Sequence, residues 1–177
     1  MNRTVEGIIR KLIREEIMLK EQSTCKEIKA PEKLDIIGPS IFLAGSIEMG
    51  KAINWQDKIT KTLQNITCTI LNPRRDDWDS TWEQKIENKK FREQVEWELQ
   101  AQEFADYNVF YFDKDTKSPI TLLELGLFCK DKKSCVCCPE GFYRKGNVDI
   151  VCNKYNVECV NTLEELIEWI KEVLGNV

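Results

Sequence analysis

The sequence contains no histidine. Serine–histidine and cysteine–histidine nucleophile pairs, histidine general bases and histidine-bearing metal sites are therefore excluded. Acid–base work near neutral pH falls to carboxylates, lysine, tyrosine or cysteine. Excess positive charge is lacking too. Lys and Arg total 26 against 30 Asp and Glu, a net charge of −4, so no global field draws in a nucleic-acid polymer or an anionic membrane. No apolar run is long enough to span a bilayer, and no secretory or mitochondrial leader is expected, since Glu6, Glu15 and Glu16 interrupt the first stretch. Internal repeats, low-complexity tracts, a Rossmann glycine fingerprint and a P-loop are all missing.

What remains is a chain of 177 residues with 42% apolar and 32% charged residues, the balance of one soluble globular domain. Its eight cysteines sit mostly inside apolar stretches and read as buried thiols of a reducing, cytoplasmic compartment. Cys135 and Cys138 have CxxC spacing with no matching second pair, so neither a metal site nor a cofactor is expected.

Apolar residues at Val5, Ile8, Ile9, Leu12, Ile13 and Ile17 have a helical period, which predicts an added N-terminal helix that packs on the domain or on a second subunit. Residues 21–39, with Pro31, Gly38 and Pro39, read as a linker, so 1–38 is expected as an extension and 39–177 as the domain. Strand and helix signals then alternate. Strands are expected at 41–44, 68–71, 107–112, 134–138 and 157–160. Helices are expected at 52–65, 90–105, 119–130, 147–155 and from Thr162 to Leu174, the last with a capping box from Thr162 to Glu165. The expected fold is a three-layer α/β/α sandwich with a five-stranded parallel sheet, flavodoxin- or Rossmann-like, plus the extra N-terminal helix. In such sheets ligands bind beyond the carboxyl ends of the strands, which places a site among loops 45–51, 72–83, 113–118 and 139–147.

Within 118–130, Ser118 reads as an N-cap and Pro119 as the first helical residue. Glu124 is the single charge between Ser118 and Lys130, with leucine on both sides. A carboxylate there is either desolvated and used, or reaches out to solvent or to a lysine. On the preceding helix Glu98 falls on the apolar stripe of Phe91, Val95, Ala101 and Ala105, while Glu93, Glu96 and Glu103 point elsewhere. Two inward carboxylates at one sheet edge suit a nucleophile and a proton donor. In the 72–83 loop, Asp76, Asp77, Trp78 and Asp79 offer an aromatic face and hydrogen-bonding groups for a base or ribose, and read equally as a solvated, self-paired loop. Gly45 and Ser46 suggest a cradle for a hydroxyl or phosphate, though Gly-Ser after a strand is common. Residues 144–149 read as a surface turn or as a reach toward a neighbouring site.

Taken in order, Ile-Phe-Leu-Ala-Gly-Ser-Ile at 41–47, Asn-Pro-Arg-Arg-Asp-Asp-Trp-Asp at 72–79, Phe-Arg-Glu-Gln-Val-Glu-Trp-Glu at 91–98, Ala-Asp at 105–106, Ser-Pro-Ile-Thr-Leu-Leu-Glu-Leu-Gly at 118–126 and Gly-Asn-Val-Asp at 146–149 resemble the nucleoside 2-deoxyribosyltransferase-like family. The resemblance implies cleavage of the N-glycosidic bond of nucleosides or their monophosphates. It gives Glu124 the part of the nucleophile that forms a covalent glycosyl–enzyme, and Glu98 that of the group handling the departing base, where relatives usually carry aspartate. Ser118 matches the position that orients the sugar or its phosphate, and Gly45 and Ser46 the loop lining the sugar. Asn147 and Asp149 match a segment completing the site of an adjacent subunit, which implies a homodimer or larger homo-oligomer acting on a small nucleoside or nucleotide. The chain also departs from the pattern. Ile41 and Phe42 stand where transferases carry an aromatic hydroxyl, and Ser118 where they carry aspartate, which tilts the reading toward hydrolysis. Glu48 replaces an arginine of the monophosphate-cleaving branch, and Ile120 and Leu122 replace its glycines. Two other classes fit the same residues: a non-catalytic nucleotide sensor on this fold, and a structural protein assembled through residues 2–20.

Overall fold

Short runs such as Cys-Thr-Ile-Leu-Asn and Tyr-Asn-Val-Phe-Tyr are buried at every position, the pattern of strands covered on both faces. In the computed structural model, which describes residues 24–47, 54–79, 81–131 and 133–175, these runs form one six-stranded, all-parallel sheet. The strands are β1 (Cys25–Lys29), β2 (Ser40–Gly45), β3 (Cys68–Asn72), β4 (Tyr107–Tyr111), β5 (Lys133–Cys137) and β6 (Glu158–Val160), in spatial order β1-β3-β2-β4-β5-β6. The helices are α1 (Trp55–Leu63), α2 (Lys89–Phe104), α3 (Pro119–Phe128), α4 (Lys145–Tyr155) and α5 (Leu163–Gly175).

The three-layer α/β expectation holds, with one correction: the sheet has six strands rather than five. The extra strand, β1, comes from the stretch read as linker. It pairs in register with β3 from Cys25 opposite Cys68 to Lys29 opposite Asn72. The expected helix at 2–20 lies outside the described residues, as does Glu48.

Two apolar clusters fill the space between the layers. One joins Trp97 and Ala101 of α2, Leu125 of α3, and Val148 and Cys152 of α4 to inward residues of the sheet such as Phe42, Phe110 and Val136. The other joins Trp55, Ile59 and Leu63 of α1, spaced four apart, and Leu163, Leu166, Ile167, Ile170 and Leu174 of α5 to Ile41, Leu43 and Val109. The capping box of α5 is present: Glu165 N–H donates to Thr162 Oγ1 at 3.2 Å, and Thr162 N–H to Glu165 Oε2 at 3.0 Å. All eight cysteines are free thiols. No helix among the described residues is long and apolar enough to cross a membrane.

From β2 the chain goes first to one side, to β3, and then to the other, to β4, so the strand order reverses between β2 and β4. The crevice beyond their carboxyl ends is where such folds hold ligands. Gly45 and Ser46 follow β2, and the loop leading to α3 follows β4.

Candidate active site

At the end of β2, Gly45 allows an approach that no side chain would permit. A Cβ there would stand 2.6 Å from Trp55 Cζ2 and 2.6 Å from the Tyr111 carbonyl oxygen. Trp55 is fully buried, stacks on Tyr111 with centroids 5.0 Å apart, and donates its indole N–H to the Ser46 carbonyl at 3.1 Å. Ser46 is thus fixed through its backbone, since its N–H also donates to the Tyr111 carbonyl at 2.9 Å. Its hydroxyl meets those of Thr116, at 2.9 Å, and Ser118, and accepts the Asp113 N–H at 3.0 Å. Thr116 and Ser118 are themselves 2.9 Å apart. Ser46, Thr116 and Ser118 are all buried, so three hydroxyls from two loops form one neutral cluster at the crevice. Rotatable hydroxyls of this kind are able to turn toward a sugar hydroxyl or a phosphate oxygen.

Ser118 stands at the N-cap position of α3, followed by Pro119, as the sequence predicts, but it does not cap the helix with its side chain. Its backbone is left-handed, at φ 43° and ψ 52°, a conformation costly for a non-glycine residue. That geometry turns the hydroxyl toward Ser46 and Thr116 instead.

Six residues further along α3, about 9 Å up the axis, Glu124 is 7% exposed. It points neither to solvent nor to a lysine; its Oε1 accepts the Gln102 amide N–H at 2.8 Å. Burial pushes its pKa up to about 8, the charge of Glu98 adds to the rise, and the Gln102 hydrogen bond opposes it. On α2, Gln94, Glu98 and Gln102 form one row at steps of four. The Gln94 amide donates to Glu98 Oε1 at 2.8 Å and to the Pro73 carbonyl at 2.7 Å. Burial pushes Glu98 up to about 7, with the Gln94 hydrogen bond opposing. The apolar stripe expected on α2 is displaced: Gln94, Trp97, Ala101 and Gln102 are the buried residues, while Phe91 and Val95 are half-buried. The two carboxyl groups thus act on each other in a poorly hydrated space, where losing one proton makes losing the second harder.

The 72–79 loop supplies charge that its own neighbours take up. Asp77 holds the buried Arg75 at 2.7 and 3.1 Å, and Arg75 also reaches Glu93 at 3.4 Å with the Trp82 ring 5.1 Å away. Asp79 caps Thr81 at 2.9 Å, and Asp76 pairs with Lys29 at 3.0 Å. Trp78 is 40% exposed, with its ring 5.1 Å from that of Trp82. On α4, Asn147 is exposed, and Asp149 accepts Lys145 at 3.0 Å within the same chain. The turn that leads into α4 is anchored by Phe142 against Phe112, the residue that follows β4, with centroids 4.8 Å apart.

The structure thus assembles two groups from the sequence candidates: Glu98 with Glu124, and Ser46 with Ser118. It adds Thr116, Gln94 and Gln102. Thr116 carries only the weak signal of a hydroxyl two residues before Ser118. The glutamines have a clearer one, lying one helical turn on either side of Glu98. Residues 38–142 match the family model described as nucleoside 2-deoxyribosyltransferase like. That span includes both groups and ends before Asn147. No curated protein matches the chain.

Proposed function

Since the chain belongs to the nucleoside 2-deoxyribosyltransferase-like family, we propose that it breaks the N-glycosidic bond of (deoxy)nucleosides or their monophosphates in two displacements. Ionised Glu124 attacks the anomeric carbon, the bond to the base breaks, and the base leaves with a proton from Glu98. Glu98, now a carboxylate, takes a proton from water as its oxygen attacks the glycosyl ester, which releases the sugar and regenerates Glu124. An acceptor base in place of water makes the same step a transfer. Ser46, Thr116 and Ser118 hold the sugar hydroxyls or the 5′-phosphate.

The observation that carries this reading is the pair of poorly hydrated carboxyl groups on neighbouring helices, the buried Glu124 backed by Gln102 and the half-buried Glu98 backed by Gln94. The reaction needs one carboxyl protonated and one ionised. Burial lifts both toward neutrality, Glu98 to about 7 and Glu124 to about 8, so the pair shares a single proton between those values, and the attacking arrangement, with that proton on Glu98, is the less populated of the two. Incubating the protein with nucleosides and their monophosphates, with and without a second base, and separating the products by chromatography tests it. Free base and free sugar are expected, and a new nucleoside if transfer operates. Tight nucleoside binding with no base release from any substrate replaces this reading with that of a sensor.

We further propose that the active form is a homo-oligomer in which Asn147 and Asp149 of one copy complete the site of another. Its support is α3, apolar on nearly every face: Ile120, Leu123 and Leu127, at i, i+3 and i+7, are 58%, 59% and 51% exposed. An apolar stripe on the helix that carries the nucleophile suits a second copy better than water. Light scattering is expected to give a dimer or larger for the native protein and a monomer for Leu127→Lys. A native protein that is monomeric at micromolar concentration overturns this assembly.

A further inference from the structure

Gln94 and Gln102 are amides buried where surface helices ordinarily carry solvated polar residues, at 4% and 0% exposure. Each uses its NH2 group in the same way. One hydrogen goes to a backbone carbonyl, Pro73 for Gln94 at 2.7 Å and Glu98 for Gln102 at 3.3 Å, and the other to a carboxyl oxygen, Glu98 for Gln94 and Glu124 for Gln102, each at 2.8 Å. The carbonyl anchor decides which way round each amide sits. Turning the amide over would set its oxygen against a carbonyl oxygen, two acceptors with no proton between them. Neither amide oxygen has a hydrogen-bond partner among the described residues. Leaving a buried acceptor unpaired is unfavourable, so the orientation is held against a cost. Both amides therefore present only donors to the carboxyl groups, and a donor stabilises the ionised form.

Charge from elsewhere does not do this work. The layer under α3 is β2 and β4. β2 holds no ionisable side chain, and the β4 tyrosines 107 and 111 belong to the cluster on the opposite face. On α3 itself Glu124 is the single charged residue. From α2, Glu98 faces Glu124 and repels its negative form.

We propose that Gln102 is a positioning residue that favours the ionised form of Glu124 and aims it for attack, and that Gln94 acts in the same way on Glu98, so that the two amides together set how the carboxyls divide the site's proton. This rests on the catalytic reading above for its consequence but not for its geometry. Methionine at either position keeps the volume and removes the donor. Gln102→Met leaves Glu124 protonated to higher pH; because Glu124 already ionises above Glu98, this lowers kcat/KM roughly tenfold near neutrality and carries the falling limb of kcat/KM against pH up by about one unit. Gln94→Met lets Glu98 keep its proton to higher pH, so the rising limb moves up by somewhat less than about one unit, the profile narrows and its maximum rises about fourfold. A merely structural loss would scale either profile down without shifting a limb.

Melting temperature against pH gives a readout independent of activity. Gln102→Met should steepen and extend the fall in stability above neutral pH, and the same change in a Glu124→Gln background should add only a pH-independent offset. If no substrate releases a base but the melting profiles behave this way, the reaction fails and the role of the amides stands. If base release proceeds and neither the limbs nor the melting profiles move, the amide assignment is overturned by itself.

Discussion

Glu124→Gln is expected to lower base release by at least about a thousandfold while making the folded protein more stable above neutral pH. The first effect follows from chemistry: an amide has no charge with which to form a glycosyl ester, whereas the side chain keeps its shape and its contact with Gln102. The second follows from burial. Glu124 is 7% exposed and its pKa is raised to about 8, so the folded protein binds this proton more tightly than the unfolded chain does. A group raised on folding contributes its stability at low pH, below the ordinary carboxylate range, and that contribution is lost as the pH climbs through the folded value. The native protein should therefore lose stability relative to the variant from the ordinary carboxylate pKa of 4.5 up to about pH 8, by about 3 kcal/mol in all once local relaxation is allowed for, or roughly 6–12 °C of melting temperature in a domain of this size. Calorimetry at a series of pH values, beside a base-release assay, reads both. Retained activity removes Glu124 from the chemistry, and parallel melting curves mean that the carboxylate is hydrated.

Gly45→Ala should unfold the protein 6–12 °C earlier, for a loss of about 3 kcal/mol. The added methyl group would lie 2.6 Å from Tyr111 O, 2.6 Å from Trp55 Cζ2 and 3.0 Å from Tyr111 Cβ. Backbone cannot retreat as a flexible side chain can, and Trp55 is fully buried, stacked on Tyr111 and tied to the Ser46 carbonyl. Relief therefore requires β2 to separate from β4 at the point where Ser46 begins, so Ser46 shifts out of reach of Thr116 and Ser118 and activity falls with stability. Gly146→Ala is the control. No atom lies within 4 Å of its added Cβ, and it sits in the first turn of α4, so alanine should be neutral or stabilise by up to about 1 kcal/mol. Equal melting temperatures for Gly45→Ala and the native protein would show that the β2–β4 junction yields more easily than its packing implies.

Much of the architecture was legible because fully buried parallel strands are written as unbroken apolar runs, and because helices such as α5 carry both an apolar face and a capping pair. β1 escaped notice for the opposite reason. Its Cys-Lys-Glu-Ile-Lys has the alternating charge of an edge strand, which looks like linker when read alone. In the site, Glu124 stood out as a lone charge among leucines, and Glu98 by its place on the helix. Gln94 and Gln102 did not, because a neutral polar residue on a helix is most often solvated, and only the packing of α3 on the sheet beside α2 shows these two to be buried. The hydroxyl cluster needs the ends of two strands to be brought together, which no local pattern states. The left-handed Ser118 is likewise invisible, since serine before proline signals an ordinary cap.

The charged edge strand that disguised itself as linker also limits how molecules of this protein can join. Its lysines 26 and 29 are held beside the strand by Asp35 and Asp76 at 2.8 and 3.0 Å, and the opposite margin, β6, is only three residues long. An incoming backbone would have to displace these ion pairs on one margin and would find too short a template on the other. Neither border is suited to adding a foreign strand, which guards a sheet with open ends against fibril growth and leaves contact between copies to the helical surfaces.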